Sequence, residues 1–262
     1  MKSCGLIGEH IKYSKSPIMH NTYYKENDIS LEYKIFDLRK DELPYFIKNL
    51  SNTDIIGFNV TIPYKEAIMK YLTKIHYIAE RIGAVNTVLV KGDELIGYNT
   101  DYYGFIDSLK ETNLQSCSAL IIGNGGSAKC VYHALKDLGL DDIDCLVRNK
   151  PKAILEMPEN CNVLEIIKVT EFSKYDIIIN CTPLGGANYS NISPVELGGI
   201  RKGIIVYDLN YIPNKSRLLM KAEKLGALTK NGDEMLKYQA GYAIKIWSLK
   251  LNEGGTFFED FK

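Results

Sequence analysis

The stretch that decides the fold is Ser118-Ala119-Leu120-Ile121-Ile122-Gly123-Asn124-Gly125-Gly126. Its apolar run predicts a buried strand that leads directly into a glycine turn. In the pattern Gly123-x-Gly125-x-x-Ala128, the glycines let the backbone approach a pyrophosphate, and the small Ala128 lets the next helix pack on the strand. Apolar residues continue at helical spacing as far as Leu138. This context favours a nucleotide-binding turn over an ordinary glycine-rich turn.

The bulk composition is that of a globular protein. The chain has 262 residues, of which 45% are hydrophobic and 24% charged, and its 32 basic and 32 acidic residues cancel. It has no long basic run, so nucleic acid and anionic membranes are not expected as partners. The apolar runs are too short for a transmembrane helix, and Met1 to Gly8 lacks the apolar region of a signal peptide. We therefore expect a cytoplasmic protein.

The six cysteines, at positions 4, 117, 130, 145, 161 and 181, form no Cys-x-x-Cys pair. No histidine stands at ligand spacing from any of them, so the sequence gives no support for a metal site. Most of these cysteines lie in apolar segments, which is typical of free, buried thiols in a reducing compartment.

Strand and helix patterns alternate along the chain, which predicts α/β architecture with parallel sheets covered by helices. Strands are expected at 4–7, 33–36, 55–60, 87–90, 94–96, 120–122, 143–147, 176–179 and 204–207. Helices are expected at 16–24, 43–50, from Pro63 through Tyr71, at 102–110, from the glycine turn to 138, and at 233–251. Lys91-Gly92-Asp93 indicates a hairpin between two of the strands. We expect two α/β domains joined near Asp101, with a ligand-binding cleft between them.

Four polar clusters sit at the ends of predicted strands in the first half. They comprise Ser14 and Ser16; Asn59, Thr61 and Lys65; Asn86 and Thr87; and Asn99, Thr100 and Asp101. Each has an ordinary structural interpretation: either serine, or Asp101, suits a helix N-cap, the asparagines suit turns, and a lone lysine is usually solvated. Because the carboxyl ends of parallel strands share one edge of a sheet, the joint occurrence of the clusters favours a single polar site.

The same segments resemble the motifs of the shikimate dehydrogenase family. The first is Tyr13-Ser14-Lys15-Ser16-Pro17-Ile18-Met19-His20-Asn21, similar to that family's Ser-x-Ser-Pro-x-x-His-Asn signature. The others are Asn59-Val60-Thr61-Ile62-Pro63-Tyr64-Lys65-Glu66, Gly83-Ala84-Val85-Asn86-Thr87, Gly97-Tyr98-Asn99-Thr100-Asp101, Asn180-Cys181-Thr182-Pro183-Leu184-Gly185, Asp208-Leu209-Asn210-Tyr211-x-Pro213 and Met235-Leu236-x-x-Gln239-Ala240. The resemblance covers essentially the whole chain, in order.

The resemblance implies reversible reduction of 3-dehydroshikimate to shikimate by a nicotinamide cofactor, in the biosynthesis of chorismate and the aromatic amino acids. Reduction of a ketone needs a hydride, which the cofactor supplies, and a proton, which a positioned acid supplies. Lys65 is the candidate acid and Asp101 its partner. The implied domains are 1–101 for substrate and catalysis, completed by a C-terminal helix at about 237–262, and 102–236 as a Rossmann-like NADP-binding domain.

Site residues are also implied by the resemblance. Ser14 and Ser16 are expected to hold the substrate carboxylate with Tyr211 nearby, and the other substrate-reading residues are Asn59, Thr61, Asn86, Asp101 and Gln239. The expected cofactor-binding residues are Gly123, Asn124, Gly125, Gly126, Ser127, Arg148, Thr182, Leu209, Gly232 and Met235. No metal is implied.

The choice between NADP and NAD depends on the end of the strand at 143–147. Asp144 lies at the sequence distance of an NAD-reading carboxylate, but near the start of that strand. Arg148 stands at its end, where a guanidinium can grip a 2′-phosphate, and Lys150 and Lys152 add positive charge. The family's Asn-Arg-Thr triplet is only partly retained, as Val147-Arg148-Asn149. We expect NADP.

Some departures from the family pattern bear on the affinity for the cofactor. Tyr13 replaces a usual His and His10 a usual Pro, while Asp233 and Glu234 occupy the segment expected beside the nicotinamide. These two acids either interact with the dipole of the last helix or alter cofactor affinity. The alternatives to the main interpretation are an enzyme that acts on quinate or uses NAD, and a non-catalytic ligand sensor on the same fold. The sequence leaves open a monomer or a homodimer.

Overall fold

The computed structural model describes residues 1–166 and 171–251, with the last three of these as backbone only. These residues form two compact units, one from Met1 to Gly104 together with the chain from Leu236, and one from Phe105 to Met235. We call them the first and the second unit. The part of the predicted C-terminal helix at 252–262 lies outside the described residues. Within the described ranges, no helix is long and apolar enough to cross a membrane.

The first unit is built on a six-stranded sheet with the order β2-β1-β3-β5-β6-β4. Its strands are β1 (Ser3–Gly8), β2 (Glu32–Asp37), β3 (Ile55–Val60), β4 (Lys74–Ile75), β5 (Thr87–Lys91) and β6 (Glu94–Tyr98). The α/β class is confirmed, but this sheet is mixed where a parallel sheet was expected. β5 runs antiparallel to both β3 and β6, because the connection between Lys91 and Glu94 is a tight hairpin, too short for a parallel crossover.

The hairpin predicted at Lys91-Gly92-Asp93 is confirmed, and Gly92 adopts the left-handed φ of 61° that such a turn requires. Its geometry has a consequence for the polar clusters. Because β5 is reversed, its first residues lie at the same edge of the sheet as the last residues of β3 and β6. Asn86 therefore approaches the clusters that follow those two strands, although it precedes its own strand.

Eight α-helices accompany the sheets in the described part of the chain. They are α1 (Ser16–Glu26), α2 (Leu43–Lys48), α3 (Tyr77–Ile82), α4 (Thr100–Ser108), α5 (Gly126–Asp137), α6 (Lys150–Glu156), α7 (Arg217–Lys224) and α8 (Asp233–Leu251). The helix expected from Pro63 is wrong: Tyr64 N–H donates to the Thr61 carbonyl at 2.8 Å in a turn, and only a 3₁₀ helix follows at Ala67–Tyr71. The α3, α6 and α7 helices, of six to eight residues, were not predicted, because two turns are too short to show a helical period clearly.

Trp247 of α8 anchors that helix to the first sheet. Its side chain is fully buried, and its indole N–H donates to the Val88 carbonyl of β5 at 3.1 Å. The ring lies over Gly57 of β3, where an added Cβ would stand 2.1 Å from the indole nitrogen. The glycine is thus required by close packing, since any side chain would displace the tryptophan.

The second unit has a fully parallel sheet with the order β12-β11-β10-β7-β8-β9. Its strands are β7 (Ala119–Ile122), β8 (Ile143–Val147), β9 (Asn162–Glu165), β10 (Ile177–Asn180), β11 (Ile205–Asp208) and β12 (Leu228–Asn231). Of these, β9 and β12 were not predicted, because both are half-exposed edge strands with mixed composition. Numbered within the unit, the order is 3-2-1-4-5-6, the doubly wound order of dinucleotide-binding sheets. The strand order reverses between β7 and β10, and such sheets bind ligands at this point.

The packing of Trp247 on Gly57 gives a direct test of the first unit. We expect Gly57→Ala to lower the free energy of unfolding by about 1–3 kcal/mol, the usual cost of overpacking a core. Because Trp247 is the protein's only tryptophan, its fluorescence in a urea titration reports on this site. Gly241→Ala is the matched control: an added Cβ there meets no atom within 4 Å, so this variant should be as stable as wild type or more stable. Equal stability of the two variants would contradict the packing argument.

Candidate active site

The Lys65 and Asp101 side chains form a partly buried ion pair in the first unit. Lys65 Nζ lies 2.5 Å from Asp101 Oδ2, and the two side chains are 14% and 12% exposed. The Lys65 carbonyl accepts a hydrogen bond from Val85 N–H at 2.8 Å, which ties its backbone to the segment before β5. The sequence interpretation of Lys65 as an ordinary solvated lysine is therefore wrong.

Asn99 explains why Asp101 is available for this pair. Its Oδ1 accepts from Tyr102 N–H at 3.2 Å, and its Nδ2 donates to the Ala84 carbonyl at 2.9 Å. Because α4 begins at Thr100, Asp101 lies in the first turn and not at the N-cap. The alternative that Asp101 caps this helix is therefore wrong, and its carboxylate points to Lys65 instead.

Asn86, Thr100 and Gln239 form a buried hydrogen-bond network beside the pair. Asn86 Oδ1 accepts from Thr100 N–H at 2.6 Å, and Asn86 Nδ2 donates to Thr100 Oγ1 at 2.9 Å. Gln239 of α8 accepts from Thr100 Oγ1 at 3.3 Å and donates from Nε2 to the Leu236 carbonyl. The network brings together residues far apart in the sequence, as the clusters predicted.

The side chain of Asn59 makes most of its hydrogen bonds within the protein. Its Oδ1 accepts from the Tyr33 hydroxyl at 2.7 Å, while its Nδ2 donates to Thr87 Oγ1 at 2.9 Å and to the Asn86 carbonyl at 3.3 Å. Both amide protons are thus used, and only an acceptor position of the oxygen remains for a ligand. Sequence reasoning missed Tyr33, because a tyrosine in a strand is ordinarily a packing residue.

The His20 ring stacks on the ring of Tyr33. The two rings stack with centroids 4.0 Å apart and planes 12° apart, and Asn21 exchanges hydrogen bonds with the backbone of Tyr33. Burial lowers the pKa of His20 to about 3, so the imidazole is neutral at physiological pH. These contacts account for the His-Asn pair that ends the serine motif: it joins α1 to β2.

The two serines at the start of α1 face each other. Ser14 Oγ donates to Ser16 Oγ at 3.1 Å and accepts from Ser16 N–H at 3.2 Å. Lys15, directly before α1, already has helical dihedrals and makes no side-chain capping bond. Ser14 precedes it and accepts from Ser16 N–H, which is the hydrogen bond of an N-capping serine, whereas Ser16 lies inside the helix. Ser16 is buried and Ser14 half-buried, and half-buried Thr61 follows β3 with its N–H on the Ile7 carbonyl.

The glycine turn of the second unit connects β7 to α5. Gly123 has a φ of 117°, which favours glycine, and Gly125 is the N-cap of α5. An added Cβ on Gly125 would meet no atom within 4 Å, so no described residue of the second unit covers that face of the turn. The first residues of α5, Gly126 and Ser127, follow directly. Open backbone at the N-terminus of a helix suits a pyrophosphate.

The edge beyond β8 carries the residues expected to read the ribose. Arg148 is exposed at the end of the strand, and Asn149 caps α6 by accepting from Lys152 N–H at 3.1 Å. Asn124 of the glycine turn donates to Glu156 Oε2 at 2.6 Å, and Lys152 is paired with the same carboxylate at 3.4 Å. The Asn124 amide therefore holds α6 to the turn, and Arg148 stays exposed at the strand end.

Asp144 is a structural residue. It is buried in β8, where it accepts from Lys174 Nζ at 2.5 Å, from the Tyr175 hydroxyl at 2.6 Å and from Asn162 Nδ2 at 2.6 Å. Burial opposes ionisation, but these three hydrogen bonds outweigh it and hold the pKa of Asp144 below its ordinary value. With its oxygens engaged in this way, Asp144 is not available to a ribose.

The other expected cofactor residues lie near the carboxyl ends of β10, β11 and β12. An added Cβ on Gly123 would lie 3.1 Å from Thr182 Cγ2, and one on Gly232 would lie 2.0 Å from the Leu209 carbonyl oxygen. Leu209 N–H donates to the Asn180 carbonyl at 3.0 Å, and Met235 is buried. Tyr211 is half-buried in the second unit, after β11. Gly232 is thus required by the close approach of Leu209.

Asp233 and Glu234 lie in the first turn of α8. Asp233 exchanges hydrogen bonds with Asn231, and Glu234 is paired with Lys230. Both acids thus stand where the helix dipole favours negative charge. Their effect on cofactor affinity stays a prediction. Among the described residues there is no cluster of ligands that could hold a metal ion.

A doubly wound sheet with an open glycine turn, and a second α/β unit with a partly buried Lys–Asp pair, define a class: the nucleotide-dependent oxidoreductases of two α/β units. Comparison with known proteins gives the family. Residues 6–88 match the model of the shikimate dehydrogenase substrate binding domain. The chain is 52% identical to the shikimate dehydrogenase (NADP(+)) of Clostridium botulinum, over 97% of this chain and 100% of that protein.

Solved structures agree with this assignment. Shikimate dehydrogenase 1 from Peptoclostridium difficile superimposes with a TM-score of 0.86 at 32% identity, covering 95% of this chain and 92% of that one. Shikimate 5-dehydrogenase from Thermus thermophilus, solved in complex with NADP(H) and shikimate, gives a TM-score of 0.84 at 29% identity, covering 95% and 94%. The chain belongs to the shikimate dehydrogenase family.

The structural role of Asp144 predicts how stability depends on pH. Because the folded-state pKa is lowered, its contribution is present above the unfolded pKa of about 3.9 and is lost as the pH falls through the folded value. We expect Asp144→Asn to lower the free energy of unfolding by about 1–3 kcal/mol at pH 7, and by less at pH 3.5. Urea titrations at both pH values measure the difference.

Asp141→Asn is the control for this experiment. Asp141 is exposed and paired with Lys136, so its removal should change the unfolding free energy little. An Asp144→Asn deficit that is the same at pH 7 and pH 3.5 would show that the charge of Asp144 plays no part.

Proposed function

We propose that this protein is an NADP-dependent shikimate dehydrogenase, which reversibly reduces 3-dehydroshikimate to shikimate in the biosynthesis of chorismate and the aromatic amino acids. The observation that carries the proposal is the Lys65–Asp101 pair, held among neutral hydrogen-bonding side chains in a chain of this family. The name of the 52%-identical relative specifies NADP(+), and the exposed Arg148 agrees with that cofactor.

The proton is the part of the reaction that this chain supplies. Lys65 would donate it to the carbonyl oxygen during reduction and accept it back from the hydroxyl during oxidation. An ammonium at this position also stabilises the negative charge that develops on that oxygen. Asp101, 2.5 Å away, orients the amine towards that oxygen.

Substrate selection would rest on the polar edge of the first sheet. Ser14 and Ser16 would bind the carboxylate with Tyr211, while Thr61, Asn86 and Gln239 would read the ring hydroxyls together with Asp101 and Asn59. Since Asn59 and Asn86 are held in place by the protein, they present only their remaining hydrogen-bonding positions to a ligand. A ligand without the matching hydroxyl leaves such groups unpaired, which gives sharp selection.

The residues of the second unit fit NADP. The backbone of the glycine turn and the N-terminus of α5 would hold the pyrophosphate, and Arg148 the 2′-phosphate. Thr182, Leu209, Gly232 and Met235 would line the remainder of the cofactor site. When bound, NADPH supplies the hydride. We assign substrate binding to 1–101 with the last helix and cofactor binding to 102–236; the unit boundaries after Gly104 and Met235 support this division.

Localisation and assembly are part of the proposal. We place the enzyme in the cytoplasm, and the six free cysteines support a reducing compartment. A monomer and a homodimer both remain compatible with the site, since every residue assigned to it comes from one chain. Activity on quinate, use of NAD and a purely sensory role are not favoured, because the relatives are NADP-linked shikimate dehydrogenases and a sensor needs no proton donor.

Replacement of Lys65 tests the chemistry. We expect Lys65→Ala to lower kcat for shikimate oxidation by about two to four orders of magnitude, the usual contribution of a positioned acid or base, while shikimate still binds in calorimetry. Lys70→Ala, which removes an exposed lysine from the following 3₁₀ helix, is the control and should retain wild-type turnover. A Lys65→Ala enzyme with more than a tenth of wild-type kcat would remove Lys65 from the mechanism.

Replacement of Arg148 tests the cofactor. The loss of a charge-assisted contact to the 2′-phosphate should raise the KM for NADP by about tenfold or more and leave the KM for NAD nearly unchanged. Steady-state rates of Arg148→Ala with each cofactor at saturating shikimate give both numbers. Since NAD lacks only that phosphate, it serves as the internal control. Equal loss for both cofactors would mean that Arg148 does not read the phosphate.

A further inference from the structure

Asp208 is a fully buried carboxylate at the end of β11. Within residues 1–166 and 171–248, no lysine, arginine or histidine is paired with it. An ionised group in such a place is costly unless hydrogen bonds replace the water it loses. Asp208 therefore differs from Asp144, the buried carboxylate of the same sheet that is paired with a lysine.

Four hydrogen bonds from neutral groups surround Asp208. Oδ1 accepts from Asn180 Nδ2 at 3.0 Å, from Asn210 N–H at 3.0 Å and from Asn210 Nδ2 at 2.8 Å, while Oδ2 accepts from Ser216 Oγ at 2.5 Å. Burial raises the pKa of Asp208, and the hydrogen bonds from Ser216, Asn210 and Asn180 act against that rise. The carboxylate is thus the common acceptor of three side chains.

Two of those side chains hold the loop from Cys181 to Gly186. Asn180 Oδ1 accepts from Thr182 N–H at 3.0 Å and from Thr182 Oγ1 at 2.7 Å. Asn210 Nδ2 donates to the carbonyl oxygens of Thr182 and Leu184, at 3.0 and 3.3 Å. The orientation of both amides is set by Asp208, because each must direct an N–H towards it. The loop conformation therefore depends on the carboxylate.

This loop lies directly beside the glycine turn. Asn180 and Ile122 are register partners at the ends of β10 and β7, and Thr182 Cγ2 lies 3.1 Å from the position of a Cβ on Gly123. The two segments thus border the point where the doubly wound sheet reverses. A displacement of the loop by the width of one hydrogen bond would change the space available to a dinucleotide.

We propose that Asp208 is a positioning residue for the cofactor: it fixes the Cys181–Gly186 loop, through Asn180 and Asn210, at the spacing from the glycine turn that a dinucleotide requires. The inference rests on the proposed function in taking NADP as the ligand. Asp208 itself does not touch the reacting atoms. Its loss should therefore weaken cofactor binding and leave the chemical step nearly unchanged.

The experiment compares Asp208→Ala with Asp144→Ala. Both remove a buried, hydrogen-bonded carboxylate from the second unit, but Asp144 lies near the start of its strand and contacts neither the loop nor the turn. We expect Asp208→Ala to raise the KM and the calorimetric Kd for NADP by about tenfold or more, with kcat changed less than threefold. Asp144→Ala should leave both constants within about twofold of wild type.

A second readout does not need bound cofactor or activity. Hydrogen–deuterium exchange of the free protein should show faster exchange of the 181–186 backbone in Asp208→Ala than in wild type or Asp144→Ala. Asp208→Asn should recover part of the NADP affinity, since an amide oxygen still accepts from Asn180 and Asn210. If Asp208→Ala does not fold, Asn210→Ala removes the donor to the Thr182 carbonyl and one of the two donors to the Leu184 carbonyl, the other being Asn180. It should change the KM and the exchange in the same direction.

The outcomes separate the inference from the proposed function. A wild-type protein that binds no NADP and does not oxidise shikimate would refute the function itself. A wild-type enzyme that does both, with an Asp208→Ala or Asn210→Ala variant no weaker in NADP binding than Asp144→Ala, would overturn the positioning role alone. Unchanged hydrogen exchange of the 181–186 backbone in both Asp208→Ala and Asn210→Ala would overturn the positioning role as well.

Discussion

The ion pair between Lys65 and Asp101 is the interaction on which the proposed chemistry depends. Two partly buried charges gain little stability from each other, since removal from water offsets most of their attraction. The structure nonetheless supports the pair from both sides: Val85 N–H holds the Lys65 backbone, and Asn99 takes over the capping of α4. This support leaves the Asp101 carboxylate to the lysine, which is the arrangement expected of a proton-transfer site and not of a stabilising contact.

The neutral side chains around the pair are also fixed by contacts within the protein. Tyr33, stacked on a neutral His20, fixes the oxygen of Asn59, and Thr100 fixes the amide of Asn86. Because the protein itself satisfies most hydrogen-bonding positions of these amides, the few that remain are well oriented. The hydrogen-bonding positions that this edge presents are therefore set by its packing as much as by the residue types that the motifs display.

The second unit shows how one buried carboxylate can differ from another. Asp144, paired with Lys174 and two neutral donors, has a lowered pKa, whereas Asp208, with neutral donors alone, has a raised one. The first ties strand β8 to the segments around it. The second lies at the end of the sheet where ligands bind, and its donors lead to the loop beside the glycine turn. Position in the sheet, and not burial, separates the two roles.

Much of the fold could be predicted from sequence because periodicity and turn chemistry are local. The glycine turn, the hairpin at Gly92 and the long strands are confirmed where predicted, since each depends on residues adjacent in the chain. The edge strands β9 and β12 were missed, because their neighbours in the sheet stabilise them more than their own composition does. The helix expected at Pro63 was wrong for a local reason, because Tyr64 N–H donates to the Thr61 carbonyl in a turn.

The sequence by itself determined the α/β class, the family resemblance and the identity of Lys65 and Asp101 as candidates, because motifs record which residue types stand in which order. Only the tertiary structure decided which of these residues meet. It engaged Asn59 with Tyr33, buried Asp144 beside Lys174 and made Asp208 the acceptor for Asn180. Each of these outcomes depends on a hydrogen bond between residues distant in the chain, because the partner of a buried polar group is set by the packing of strands and helices.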